Sequence, residues 1–282
     1  MFDLILVRYG EVALKGRFTR KRFEDKLIRN IDYALRLEGI RFSLGRERGR
    51  VFVYTKSIEK GIDVLRKIFG IVSISPATEV LTDMDAMKER ALEMMRIRGR
   101  DINSFAIRVS RTGSHDFTSQ DVAVEVGEKV KKDLGLQVDL EEPDLELHIE
   151  VRGERAFLFF EKIKGPGGLP MGTQGRVASI IRNELDLLAL WYMLKRGCSA
   201  RIVSFIPREK LDRFLREWYA GIEVEVVDEL DRCMDGAMAI VTGERMENLD
   251  LDMERRFDLP VLRPLIHLPD EEVERKMEEI VV

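Results

Sequence analysis

The chain has few of the residues on which metal sites and disulfide frameworks depend. Its 282 residues include two cysteines and three histidines. Cys198 and Cys233 lie far apart and form no CxxC pair, which argues against a disulfide framework and a zinc site. His115, His148 and His267 occur singly. We therefore expect no metal ligands and no catalytic cysteine, and we expect a reducing compartment such as the cytoplasm.

The chain also lacks long apolar runs and has little asparagine or glutamine. The apolar run at residues 2–7 is too short for a signal peptide, and no run approaches the roughly eighteen residues of a membrane span. These absences predict a cytoplasmic protein with no membrane partner. Four asparagines and three glutamines beside a charged fraction of 35% give a composition typical of thermophilic proteins.

A third absence concerns one turn. A glycine-rich segment at 165–175 leads through an apolar strand, predicted at 177–181, into a turn that contains no glycine. Residues with a Cβ disfavour the positive φ angles of a phosphate-binding loop, and two acids would repel a polyphosphate. The turn therefore has the strand-to-helix position of a nucleotide-binding loop, but we expect it not to bind phosphate. We expect its acids to stabilise the first turn of the following helix. Its residues are Arg182, Asn183, Glu184, Leu185 and Asp186.

The net charge of −4 is unevenly distributed along the chain. Residues 1–76 carry 17 Lys and Arg against 9 Asp and Glu, whereas 77–165 and 166–282 are acidic by 5 and 7 charges. The basic excess at the start would attract a polyanion through a field that salt screens. A solvated helix face is the alternative explanation of the same charges.

The apolar pattern of the first half predicts two α+β regions. The first has ferredoxin-like order, with a strand at 2–7, a helix at 18–37 ended by Gly39, a strand at 51–55, a helix at 58–69 and a strand at 71–75. The second has a helix at 84–98, a strand at 105–109, a helix at 119–132 with Ser119 as N-cap, and a hairpin of 145–152 with 156–160.

The second half alternates strands and helices, which predicts a parallel sheet covered on both faces. The strands are predicted at 177–181, 201–205, 223–227 and 237–241, and the helices at 184–196, 207–219 and 271–279. Ligands in such sheets bind at the carboxyl ends of the strands, where the turn after residue 181 lies.

Several segments, in order along the chain, resemble landmarks of the tRNA 4-thiouridine synthases, also called tRNA sulfurtransferases or the ThiI family. The resemblance implies an α+β N-terminal half, made of a ferredoxin-like and a THUMP domain, followed by an α/β parallel-sheet, PP-loop-like domain. The implied domains are 1–76, 77–165 and 166–282, with a THUMP profile starting near residue 60. The matching segments are 8–16, 122–127, 138–144, 165–177, 195–197, 241–244 and 261–266.

The chain departs from the family pattern at its catalytic positions. Active members carry Ser-Gly-Gly-x-Asp-Ser where this chain has residues 182–186, and Arg245-Met246 replaces a longer glycine-rich segment. The sulfur-carrying cysteine of the family has no counterpart, since Cys233 lies only nine residues before Thr242. The resemblance therefore implies a degenerate PP-loop, with no catalytic residues and no cofactor. ATP and Mg²⁺ are expected only if the chain is an active 4-thiouridine synthase, which is the alternative.

The resemblance implies tRNA as the partner, bound largely by shape and through phosphate contacts. A homodimer, an intact modification enzyme and a sulfur donor are further partners that it leaves open. A second alternative is an assembly protein that presents tRNA to another enzyme. The predicted RNA-binding residues are Lys15, Arg17, Arg20, Lys21, Arg22, Arg108, Arg111, Lys162 and Lys164.

Overall fold

The computed structural model describes residues 2–10, 16–99 and 101–281, without the side chains of Arg17 and Glu254. Contacts between Cα atoms divide these residues into two compact units. The first unit contains residues 2–7, 40–62 and 74–163 apart from residue 100. The second unit contains 8–10, 16–39, 63–73 and 164–281.

The first half of the chain forms one nine-stranded sheet, in the order β2-β3-β1-β4-β8-β7-β5-β6, with β9 paired to β4. Its long strand β4 has ferredoxin-like neighbours on one side and the β7-β8 hairpin on the other, so the two predicted α+β regions share a sheet. The strands are β1 (Leu4–Tyr9), β2 (Ser43–Glu47), β3 (Arg50–Tyr54), β4 (Ile71–Leu81), β5 (Ser104–Thr112), β6 (Gln137–Val138), β7 (Leu145–Arg152), β8 (Arg155–Phe159) and β9 (Ile163–Lys164).

Four helices accompany these strands: α1 (Arg17–Leu37), α2 (Ile58–Leu65), α3 (Met84–Arg98) and α4 (Ser119–Leu134). The predicted ferredoxin-like order and the hairpin are confirmed, although α2 is shorter and β4 longer than predicted. The predicted N-cap Ser119 is wrong. Thr118 caps α4, because its hydroxyl accepts the Asp121 N–H while the Asp121 carboxylate accepts the Thr118 N–H.

The first unit buries apolar side chains of both α+β regions. Met87 and Met95 of α3 and Val122 and Val126 of α4 pack into one cluster with the apolar residues of β5, β7 and β8. A second cluster joins β1, β3, β4 and β8, with the rings of Phe52 and Phe157 stacked. The strand and helix periodicities seen in the sequence thus correspond to buried faces.

The second half forms a five-stranded parallel sheet in the order β12-β11-β10-β13-β14. This order confirms the predicted α/β class. The strands are β10 (Arg176–Ile181), β11 (Ser199–Ser204), β12 (Val224–Val226), β13 (Ile240–Val241) and β14 (Val261–Leu262). The helices are α5 (Glu184–Lys195), α6 (Arg208–Glu217), α7 (Leu230–Met234), α8 (Met253–Phe257) and α9 (Asp270–Ile280).

Both faces of this sheet are covered, as the sequence predicts for parallel strands. Val177 and Ile181 of β10 belong to a large core with α5, α6 and α9, whereas Ala178 and Ile180 belong to a core with α7 and α8. Helices α7 and α8 and strand β14 are short elements that the sequence did not predict. Among the described residues, no helix combines the length and apolarity that crossing a membrane requires.

Candidate nucleotide loop and basic residues

The turn between β10 and α5 satisfies its own backbone donors. Asn183 is the N-cap of α5, and its Oδ1 accepts the N–H groups of Leu185 at 2.9 Å and Asp186 at 3.2 Å. N–H groups at a helix start are the ones that would otherwise bind an anion. Asn183 therefore occupies two of the donors that a phosphate site at this position would use.

Asp186 is a buried carboxylate that accepts further hydrogen bonds at this turn. Its side chain is 1% exposed. One carboxylate oxygen accepts the Arg182 N–H at 2.9 Å, and the other accepts the Gly243 N–H at 2.7 Å. The Arg182 guanidinium donates to both oxygens at 3.3 Å. Asp186 is thus a first-turn acid, as predicted, and it also joins two loops 57 residues apart in sequence.

Gly243 closes the crevice at the carboxyl ends of the strands. It follows β13, which lies beside β10, the point at which the strand order reverses and where open α/β sheets bind ligands. A Cβ on Gly243 would meet the backbone of Leu185 and approach Asp186 N to 2.5 Å. Glycine is therefore required here for the close packing of the two loops.

Buried carboxylates also neutralise the arginine of the turn. Glu244 is 3% exposed and accepts the Arg263 Nε–H at 2.8 Å. Arg182 Nη2 lies 3.9 Å from Glu244 and 3.3 Å from Asp186. At the surface of the turn, Glu184 pairs with Lys210. The donors and positive charges of this turn are thus paired within the protein.

Both cysteines lie in the interior of the protein. Cys198 and Cys233 are buried, and burial raises the pKa of both thiols. The Cys233 thiol donates to the Arg201 carbonyl oxygen at 3.3 Å. Across the described residues, no group of three or more His, Cys, Asp and Glu side chains is arranged to hold a metal ion.

The predicted basic residues near the N-terminus are partly described. Lys15 and the side chain of Arg17 lie outside the described residues. On α1, Arg20 lies 3.9 Å from Glu24, Lys21 is exposed, and Arg22 donates to the carbonyl oxygen of Thr173 at 3.3 Å. Lys21 and Arg22 are therefore the exposed described members of this set.

Three of the predicted RNA-binding residues, Arg108, Arg111 and Lys162, lie in the first unit. Arg108 and Arg111 lie three residues apart on β5, so they point to opposite faces of the strand. Arg108 donates to Glu146 at 2.7 Å and thereby lowers the pKa of that carboxyl, whereas Arg111 donates to the Gly113 carbonyl oxygen. Lys162 is exposed, with its Nζ 6.0 Å from the ring of Phe159.

Lys164 belongs to the second unit, where it lines a cavity with other cations, such as Arg66 and Lys195, that the sequence did not predict as site residues. The partners of Asp186 were also missed. The segments 241–244 and 261–266 were recognised as family landmarks, but their sequences gave no sign of contact with the turn after β10. These segments supply Gly243, Glu244 and Arg263 to it.

Comparison with known proteins identifies the family. A model of the ThiI ferredoxin-like domain matches residues 4–75, and a model of the THUMP domain matches residues 82–161. A probable tRNA sulfurtransferase of Methanothermobacter thermautotrophicus is 33% identical over 99% of this chain and 85% of its own length. One from Thermoanaerobacter pseudethanolicus is 37% identical over 97% and 84%, respectively. The chain belongs to the tRNA sulfurtransferase family.

Two solved structures share the whole fold. A crystal structure of a Pyrococcus horikoshii Ot3 protein superimposes with a TM-score of 0.85 at 31% identity, covering 99% of this chain and all of the other. A 4-thiouridine synthetase, solved as an RNA complex with bound ATP, superimposes with a TM-score of 0.77 at 25% identity, covering 99% of this chain and 85% of the other. The recognised family and its three-part architecture are thus confirmed.

Proposed function

We propose that this protein binds tRNA and does not thiolate it with ATP. The observation that carries the second part is the Asp186 carboxylate, which accepts the N–H groups of Arg182 and Gly243 at the carboxyl ends of β10 and β13. An ATP phosphate there would have to displace a buried, hydrogen-bonded carboxylate and lie beside Glu244. The α/β region then serves as a scaffold.

The length of the chain supports the loss of catalytic segments. The alignment with the Methanothermobacter relative extends over 336 residues, whereas this chain has 282, so at least 54 aligned positions have no residue here. The chain also offers no exposed thiol to carry sulfur, since both of its cysteines are buried.

The tRNA-binding part of the proposal depends on the N-terminal half. A THUMP domain occupies residues 82–161, and the related 4-thiouridine synthetase was solved with RNA. Lys21, Arg22 and Lys162 are exposed cations in this half and suit phosphate contacts. An intact modification enzyme would then act on the tRNA that this protein holds in the cytoplasm.

Thiolation can be tested directly. The protein is incubated with Mg-ATP, a persulfide donor and unmodified tRNA, and the nucleosides are analysed by mass spectrometry. We expect no 4-thiouridine above the level without enzyme, whereas a relative with an intact Ser-Gly-Gly-x-Asp-Ser loop forms it. Product formed by this chain alone would show that it is an active tRNA sulfurtransferase.

RNA binding is tested by reversing charges. We expect the double variant Lys21→Glu and Arg22→Glu to weaken tRNA binding and to reduce the salt slope by about one for each lost phosphate contact. The matched control is Arg208→Glu with Arg213→Glu, which reverses two exposed arginines of α6, outside the N-terminal half. Equal effects of the two pairs would show that α1 contributes only nonspecific charge.

A further inference from the structure

The second unit contains a cavity of about 560 Å³ to which the proposed function assigns no role. It lies at the C-terminal end of α5, whereas the turn after β10 lies at the N-terminal end, about 18 Å away along twelve residues. Glu217 and Glu279 are the acids that line it. The lining cations come from four separate segments and are Arg66, Lys67, Lys164, Lys195, Arg275 and Lys276.

Three of these cations form no ion pair with a carboxylate of the described residues. Lys67 pairs with Glu217 at 2.6 Å, and Lys276 pairs with Glu279 at 2.6 Å. Arg275 lies 3.7 Å from Glu279, so that this one acid faces two cations.

For Arg66, Lys164 and Lys195, the described residues provide no carboxylate within ion-pair distance. The cavity therefore concentrates positive charge, although residues 166–282, which supply three of its six cations, are acidic by 7 charges.

The neighbouring positive charges affect the protonation of Lys195. Burial, together with the nearby charge of Lys276, lowers the pKa of Lys195. Its Nζ lies 5.0 Å from the centre of the Trp191 ring, over which Lys276 Nζ also lies at 5.9 Å. A multiply charged anion in the cavity would relieve the repulsion between the two lysines.

The wall of the cavity also contains a buried hydrogen-bond donor, the indole N–H of Trp191. Trp191 lines the cavity and is 3% exposed, yet its indole N–H has no hydrogen-bond partner among the described residues. The neighbouring Trp218 donates its indole N–H to the Ile280 carbonyl oxygen at 3.1 Å. An unsatisfied buried N–H costs free energy, but this nitrogen is almost fully covered, so a ligand oxygen would reach it only if side chains of the wall moved.

The glycine-rich junction fixes one side of the cavity. The Gly165 N–H donates to the Val72 carbonyl oxygen at 2.9 Å, and the Leu169 N–H donates to the Lys195 carbonyl oxygen at 2.9 Å. Gly168 has a φ of +75° and lies against the Lys195 backbone, where a Cβ would not fit. The junction thus holds Lys164 and Lys195 in place before any ligand binds.

We propose that this cavity binds phosphate groups, supplied either by an RNA backbone or by a free phosphorylated molecule. Its six cations against two acids favour an anion of several charges, and 560 Å³ exceeds the space that a single phosphate needs. The inference goes beyond the proposed function, since it stands whether or not α1 and the THUMP domain bind tRNA.

The two tryptophans make the site directly observable. They are the only two in the chain, and both line the cavity. We expect inorganic pyrophosphate to change the tryptophan fluorescence of the full-length protein in a saturable way. The double variant Arg66→Gln and Lys195→Gln should bind pyrophosphate about tenfold more weakly or worse, because it loses two charged donors.

The control variant is Arg213→Gln, which removes an exposed arginine of α6 in the same unit and should leave the titration unchanged. Circular dichroism melting verifies that each variant folds. Displacement of tRNA by pyrophosphate would identify RNA as the source of the phosphate, and binding without displacement would identify a free phosphorylated molecule. An absent fluorescence response, or equal affinity in wild type and double variant, would overturn the proposal.

Discussion

The two ends of helix α5 differ in whether their hydrogen-bonding and charged groups have partners. At the N-terminal end, Asn183 and Asp186 accept the backbone donors of the turn, and carboxylates neutralise Arg182. At the C-terminal end, Lys195 has no carboxylate partner among the described residues, and the indole N–H of Trp191 has no acceptor there. A helix N-terminus is the expected anion site, but here the unsatisfied groups lie at the other end. Unpaired groups, rather than the fold position alone, define where a ligand is needed.

The largest expected loss of stability concerns the N-terminal end of α5. Asp186→Ala should lower the free energy of unfolding by about 3 kcal/mol, because the N–H groups of Gly243 and Arg182 lose a buried acceptor. Glu184→Ala, in the same turn but half exposed, should cost less than about 1 kcal/mol. Denaturant unfolding followed by tryptophan fluorescence measures both. Equal costs would mean that Asp186 acts merely as a surface acid.

Backbone packing provides the second test. Gly243→Ala should cost about 2 kcal/mol, since the added Cβ meets backbone atoms of the first turn of α5. Gly127→Ala is the matched control, because a Cβ there meets only Ile107 at 3.9 Å and lies within α4. That variant should gain up to about 1 kcal/mol from helix propensity. Melting curves that show no difference would contradict a closed crevice at β13.

The smallest expected effect concerns the cysteines. Because burial raises the pKa of both thiols, less thiolate is present at about pH 8 than in the unfolded chain, and the reaction with a disulfide reagent should be at least about tenfold slower. The rate should increase as the pH rises toward the elevated pKa values. Rapid labelling of native protein would identify an accessible thiol and reopen sulfur transfer.

Local patterns predicted most of the fold. The apolar spacing of Met87, Ala91 and Met95 predicted α3 with its observed bounds, and the alternation at 145–152 predicted β7. Errors occurred where the sequence offered equivalent choices, as with Thr118 and Ser119, which are both good N-caps. Missed elements such as β6, β9, α7, α8 and β14 are two to five residues long, too short to show a period.

The site was predictable only in part, because its decisive contacts are distant in sequence. The turn at 182–186 revealed the loss of glycine, and Asp186 was correctly interpreted as a first-turn acid. Its bond to Gly243 joins residues 57 positions apart, which no local pattern indicates. The cavity at the other end of α5 draws Arg66, Lys164 and Lys195 from three segments, each of which resembles an ordinary charged surface.

Helix α1 belongs to the second unit, so its packing depends on residues far along the chain. Within that unit, Arg22 and Asn30 of α1 donate to the carbonyl oxygens of Thr173 and Met171, and Lys26 pairs with Glu223. A truncation after residue 165 would therefore strip a helix of its partners rather than separate two modules. The α/β region therefore stabilises α1 whatever chemistry it carries out.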